Sequence, residues 1–167
     1  MIRLTKLADY AVVLMSSIAE HPDAVHAAAD VARDTHIPAP TVSKILGAMA
    51  RAGLLVSHRG LKGGFSLARA PQEITVADVI RAIDGPIALT NCIEEAPGAC
   101  EILDCCRVRG YWYRINAAVT SALEDVTLAE ISSPIPEFLG HQPSFAPARP
   151  PAVRPDDPCP GARLFFE

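Results

Sequence analysis

Four of the five cysteines fall within sixteen residues, "NCIEEAPGACEILDCC", which run from Asn91 to Cys106. Seven residues separate Cys92 from Cys100, five separate Cys100 from Cys106, and Cys105 directly precedes Cys106. Thiolates in such a set can close disulfides, bind zinc, switch redox state or hold an iron–sulfur cluster. Structural zinc usually takes paired C-x2-C knuckles, and none is present. The adjacent pair Cys105 and Cys106 is poorly arranged to give two ligands to one tetrahedral ion. An all-disulfide arrangement leaves one of five thiols unpaired. The N-terminus also lacks a signal-peptide pattern, so a bacterial cytoplasm is expected, where disulfides are rare. Three spaced cysteines on a loop containing Gly and Pro suit an iron–sulfur cluster, completed by a carboxylate, a histidine or a borrowed ligand. Spacing alone leaves cluster, zinc and thiol switch open. Glu94, Glu95, Glu101 and Asp104 read as solvated loop residues, and Cys159, in "DPCPG", as an incidental thiol.

The elements that must position these thiols can be read from periodicity. "TKLADYAVVLMSSIAE" predicts an amphipathic helix capped by Thr5, with Leu7, Tyr10 or Ala11, Leu14 and Ile18 on one face. "HAAADVARDTHI" predicts a short second helix with Ala28, Val31 and Ala32 inward. "PAPTVSKILGAMARAG" predicts a third, with Pro40 in its first turn, Val42, Ile45, Leu46 and Met49 buried, and Gly53 as its stop. Only "HIPA" lies between the second and third, which is the spacing of a helix-turn-helix. Strands are expected over 54–58 and 65–68, joined by the glycines of "GLKGG". A helix-turn-helix followed by a glycine-turned hairpin is the order of a winged helix. "TVADVIRAIDG" follows as a helix with a Thr75/Asp78 capping box, ended by Gly85. Beyond the cysteines, "RVRGYWYRINAAVTSALEDV" predicts a long helix with Trp112, Ile115, Val119, Leu123 and Val126 along one side. "TLAEI" reads as a capped final turn. Residues 132–167 hold nine of the fifteen prolines and are expected to be a disordered tail.

Charge divides the chain in the same way. The net charge is −4, yet residues 1–69 carry eight Lys/Arg against five Asp/Glu, and residues 70–131 carry four against ten. A basic first part and an acidic, cysteine-bearing second part imply two jobs. The first residues of the second helix of a helix-turn-helix meet base edges in the major groove, and here they are Thr41, Ser43 and Lys44. The hydroxyls can bond bases or phosphates, and Lys44 can reach guanine or the backbone. The hairpin offers His58, Arg59 and Lys62. Arg59 is suited to a narrow minor groove. No run of apolar residues is long enough to span a membrane, and no nucleotide loop or catalytic triad points to an enzyme.

Over residues 1–131 the chain resembles the Rrf-two-type regulators, a family of bacterial winged-helix iron–sulfur transcription factors. The resemblance is carried by "RLTKLADYA", "PTVSKIL", "RAGLLVSHRGLKGGFSLAR", "ITVADVIRAIDGPIALTNC" and "WYRINAAV", in that order. It is closest to the subgroup that regulates Suf-type iron–sulfur assembly genes, whose members carry a similar "DYA", "LPTVSKIL", "GPIALTEC" and "W-x-RIN". The resemblance implies a homodimer built on the long helix, with one 2Fe–2S or 4Fe–4S cluster per subunit. Its three thiolate ligands carry over to Cys92, Cys100 and Cys106. Cys106 is chosen over Cys105, the alternate, because it stands six positions before Trp112, as the family's third cysteine does. The first spacing is slightly longer than the family's, and Cys105 is extra. The family's assembly-operon regulator uses a histidine three residues after its last cysteine, where this chain has Arg109. Nitric-oxide-sensing relatives with a similar "TKLADYA" place an aspartate on the partner subunit's cluster, which makes Asp9 the candidate fourth ligand.

The expectation is a mainly α protein with a small β-hairpin wing. Residues 1–70 would form the winged helix-turn-helix, residues 71–131 the cluster loop (about 86–108) and dimerisation helix, and residues 132–167 the tail. The function expected is a cluster-sensing, DNA-binding repressor of Suf-type assembly genes, acting as a cytoplasmic homodimer on double-stranded DNA, with no membrane and no small-molecule substrate as partner. The alternatives are a nitric-oxide- or iron-responsive regulator with another regulon, a thiol or zinc redox adaptor, and an electron carrier.

Overall fold

The computed structural model describes residues 3–60, 63–93 and 106–133. Cys100, Cys105, Lys62, the four acidic residues of the cysteine loop, Cys159 and the proline-rich tail from residue 134 on lie outside them, whereas Ser132, expected at the start of the tail, ends α6. Among the described residues the chain builds six α-helices and one two-stranded hairpin. These are α1 Lys6–Ala19, α2 Ala28–Thr35, α3 Ala39–Arg51, β1 Leu55–His58, β2 Gly64–Leu67, α4 Val76–Asp84, α5 Arg109–Glu124 and α6 Leu128–Ser132, with a 3-10 turn at Pro71–Glu73.

The local signals act as their chemistry requires. The Thr5 side chain accepts from the Ala8 amide and starts α1. Capping boxes start α4 at Thr75/Asp78 and α6 at Thr127/Glu130. Gly53, at φ 75°, takes the left-handed conformation that stops α3. The end of α2 is less expected, because His36 adopts a left-handed φ of 57° without being glycine. This residue, followed by Ile37 and Pro38, makes the tight turn into α3.

Leu14, Met15 and Ile18 of α1, Val42, Ile45, Leu46 and Met49 of α3, and Ile74, Val79 and Leu128 are fully buried in one core. The hairpin pairs antiparallel, with Leu55 opposite Leu67 and His58 opposite Gly64. It is fastened to the α1–α2 connection by a further two-bond bridge: His26 N–H donates to Phe65 O at 2.8 Å, and Phe65 N–H to His26 O at 2.9 Å. Gly64 is required there, since a Cβ at that position would sit 2.3 Å from the His26 carbonyl oxygen. This bridge holds the wing against the helical core.

The long helix departs from expectation. Ile115 is 45% exposed, and Val126 lies beyond the end of α5 and is also exposed. The inward line runs instead through Trp112, Asn116, Val119 and Leu123, so the predicted stripe was one residue out of phase at Ile115. The line is shallow: Asn116 is the sole buried residue of α5. Leu123 packs on the small cluster of Ala8, Val76 and Ile80, and Arg81 of α4 pairs with Glu124.

Candidate DNA interface and cysteine site

The N-terminal half of α3 projects the residues singled out for DNA. Ser43 and Lys44 are exposed and Thr41 is half-buried, while the alternating positions Val42, Ile45 and Leu46 lock the same helix into the core. A helix whose inner face is fixed and whose outer face carries Ser and Lys can be laid rigidly into a groove. The start of α3 has no side-chain cap, so the positive end of its dipole adds to Lys44. Arg59 is exposed at the tip of β1, beside Gly60. His58 is not free for readout in the way its neighbour is, because its Nε2 lies 2.8 Å from Ser66 Oγ across the hairpin.

Two of the four closely spaced cysteines, Cys92 and Cys106, are described, and both are free thiols. Cys92 is buried, 8% exposed, and its Sγ is 3.1 Å from Thr90 Oγ1. The Ile93 amide donates to Thr90 O at 3.1 Å and closes a turn around the cysteine. Cys106 is partly exposed, and its carbonyl accepts from the Arg109 amide at 3.2 Å, so it lies at the root of α5. Both thiols therefore lie within the connection between α4 and α5, Cys106 close to its end. Arg109 turns its guanidinium onto Tyr113, 5.5 Å from the ring centre.

Asp9 lies exposed on the first turn of α1. That turn is tied to the end of α4: Thr5 Oγ1 donates to the Asp84 carboxylate at 2.8 and 3.0 Å. The cysteine-bearing segment begins immediately after Asp84, so the start of α1 and the start of the cysteine segment share one anchor. Among the described residues, no group of three His, Cys, Asp or Glu is gathered into a metal site.

The family profile for Rrf2, described as an iron-dependent transcriptional regulator, matches residues 4–134. The chain belongs to the Rrf2 family of transcriptional regulators. An HTH-type regulator, so named provisionally, from Mycobacterium tuberculosis H37Rv is 34% identical over 141 residues, covering 82% of this chain and 86% of that protein. The HTH-type transcriptional regulator IscR of Escherichia coli O1:K1 is 29% identical over 130 residues, covering 77% and 79%. Among solved structures, CymR of Bacillus subtilis, titled a global cysteine regulator, superposes with a TM-score of 0.63 at 26% identity, covering 79% of this chain and 97% of that one. The mainly helical winged fold and the DNA-binding regulatory role expected from the sequence are those of this Rrf2 family, whose members matched here are regulators rather than enzymes. No described helix is long and apolar enough to cross a membrane.

Sequence reasoning missed three parts of this arrangement: Asn116, the Thr5–Asp84 tie and the His26–Phe65 bridge. The first had a signal, a polar residue at the inward spacing between Trp112 and Val119. The other two join segments far apart in sequence and leave no local pattern.

Proposed function

We propose that this Rrf2 protein is a cytoplasmic, homodimeric repressor that senses an iron–sulfur cluster and controls Suf-type cluster assembly genes. The observation that carries the reading is that two free thiols, Cys92 and Cys106, both stand in the connection between α4 and α5, which joins the DNA-binding core to the long helix. Both are unpaired and neither is walled off by a disulfide, so the donor set fits thiolate ligation. Cys92, Cys100 and Cys106 would hold the cluster, with Asp9 of the partner subunit as fourth ligand and Cys105 as alternate. When bound, such a cluster supplies a labile, redox-sensitive link whose loss changes ligand occupancy. The chain's own residues do the rest. Thr5 and Asp84 couple the Asp9 turn to the cysteine segment. Ser43 and Lys44, with Arg59 and Lys62 on the wing, bind DNA. Ligation can shift the DNA-binding equilibrium only by favouring one arrangement of these parts over another.

Anaerobic reconstitution with iron and sulfide, followed by visible spectroscopy and a gel shift on a Suf-type assembly promoter, tests the reading. The expected result is a coloured protein whose operator affinity depends on Cys92. A colourless protein that binds the operator identically after Cys92→Ala sinks it. DNA contacts should also weaken steeply between ~50 and ~200 mM salt, as phosphate-driven binding does. A second reading, a nitric-oxide- or iron-responsive regulator with another regulon, is favoured by the exposed Asp9 within "TKLADYA" and by Arg109 in the histidine position. Mapping the bound promoters separates the two.

A further inference from the structure

Asn116 is the one buried polar residue among those described, and both polar atoms of its amide are engaged. Asn116 Oδ1 accepts from the Leu89 amide at 2.9 Å, and Nδ2 donates to Ile87 O at 2.8 Å. A side chain that holds an acceptor and a donor two residues apart does to segment 87–89 what a neighbouring β-strand would do. It fixes both the position and the direction of the backbone. A leucine at this inward position would pack but would hold neither group.

The gripped segment leads straight to a thiol. Three residues run from Leu89 to Cys92, at most about 10 Å of extended chain. Even that length is not slack, because the Thr90–Ile93 turn closes it and the Thr90 hydroxyl touches Cys92 Sγ at 3.1 Å. Cys106 is referred to the same helix by another route, through its carbonyl bond to the first turn of α5. Both described thiols are therefore positioned by α5, one by chain continuity and one through a side-chain clamp.

We propose that Asn116 is a positioning residue that registers the Cys92 arm against α5, and so sets where the Cys92 thiol stands relative to Cys106. The purpose assigned to it rests on the cluster reading above, but the clamp can be tested without a cluster. In the full-length, reduced, metal-free protein, iodoacetamide labelling is followed at each cysteine by mass spectrometry. Asn116→Ala should raise the labelling rate of Cys92 about tenfold or more relative to Cys106, a local opening rather than a global one. Asn116→Asp keeps the acceptor for Leu89 and loses the donor to Ile87, and should fall between. General loosening of the fold would accelerate both thiols alike, and that result overturns the proposal. Should the variants fail to fold, hydrogen exchange on the wild-type chain decides: the Leu89 amide must be protected like the middle of α5, and exchange as fast as at exposed Asn91 overturns the clamp. Reconstitution with iron and sulfide is the separate arm. A wild-type protein that takes up no cluster removes the cluster reading and leaves the labelling result standing. Where the cluster forms, Asn116→Ala should lower its occupancy or alter its visible circular dichroism.

Discussion

Helices α4 and α5 are neighbours in space and opposites in character. In its nine residues α4 buries Val76, Ala77, Val79 and Ile80. In its sixteen, α5 buries only Asn116. The difference follows from their surroundings. α4 is wedged among α1, α3 and α5, whereas α5 packs chiefly on α4. The far side of α5 leaves Tyr111 and Ile115 in solvent, four residues apart and so on one face, with Tyr111 60% exposed. Val108, the residue just before the helix, is exposed as well. An amphipathic pattern thus identifies a helix without identifying what covers it. α4 satisfies its pattern inside the chain, whereas α5 leaves apolar residues uncovered in the protomer, the face on which the proposed homodimer would have to form.

The largest effects should fall on opposite sides of that division. Leu14→Ala in the core that α4 shares empties a fully buried site and should cost about 2–5 kcal/mol of unfolding free energy at any protein concentration. Ile115→Ala should leave protomer stability within about 0.5 kcal/mol, as a surface change does, while weakening self-association about tenfold or more. Denaturation and sedimentation across a dilution series read both effects. Below the dissociation constant, Ile115→Ala should unfold with the wild type. If it remains destabilised there, α5 is a core helix after all and the contrast collapses.

The next effect concerns the wing. Gly64→Ala drives a methyl group against the His26 carbonyl and should cost more than about 1 kcal/mol. The exchange of the His26 and Phe65 amides should accelerate first. Removing the cap of α4 is comparable: Thr75→Ala should cost about 1 kcal/mol, since Thr75 and Asp78 satisfy each other's amides reciprocally. Uniform exchange across the wing after Gly64→Ala would mean that the bridge does not hold it.

What the sequence made legible was local or periodic. The α3 stripe of Val42, Ile45, Leu46 and Met49 is buried as its spacing required, and Thr5, Gly53 and Thr75 act where their chemistry placed them. The stripe of α5 was misphased because Ile115 is the more apolar of two adjacent residues. Asn116 was inward because it had backbone groups to satisfy, and hydrophobicity alone cannot see that demand. The cysteine set and Asp9 stand apart from this, as spacing and resemblance suggest their chemistry but not their geometry: Cys92 and Cys106 are described, Cys100 and Cys105 lie outside the described residues, and the turn of Asp9 meets the end of α4 through Thr5 and Asp84.

The smallest expected effect probes how α5 is returned to the core. Beyond α5 the chain bonds back onto the segment that starts α4, with Val76 N–H donating to Val126 O and Leu128 N–H to Ile74 O, both at 2.9 Å, and Leu128 fully buried. The capping box of α6 fixes that return. Thr127 N–H donates to Glu130 Oε2 at 2.7 Å, and the Thr127 hydroxyl donates to the same oxygen at 3.0 Å. The backbone bond first, and the hydroxyl second, hold the Glu130 carboxyl below its ordinary range. A carboxylate whose folded value is depressed contributes stability above its unfolded value, and the contribution disappears as pH falls through the folded one. Glu130→Gln should therefore lower the thermal midpoint slightly at neutral pH, and the gap from wild type should close as the solution is acidified below the carboxylate range. Because Glu130 is fully exposed, the gap should also shrink in high salt. A gap that stays constant from neutral to acid pH would mean that the charge on Glu130 contributes nothing, and that the backbone bonds of Val126 and Leu128 and the buried Leu128 side chain hold the return without it.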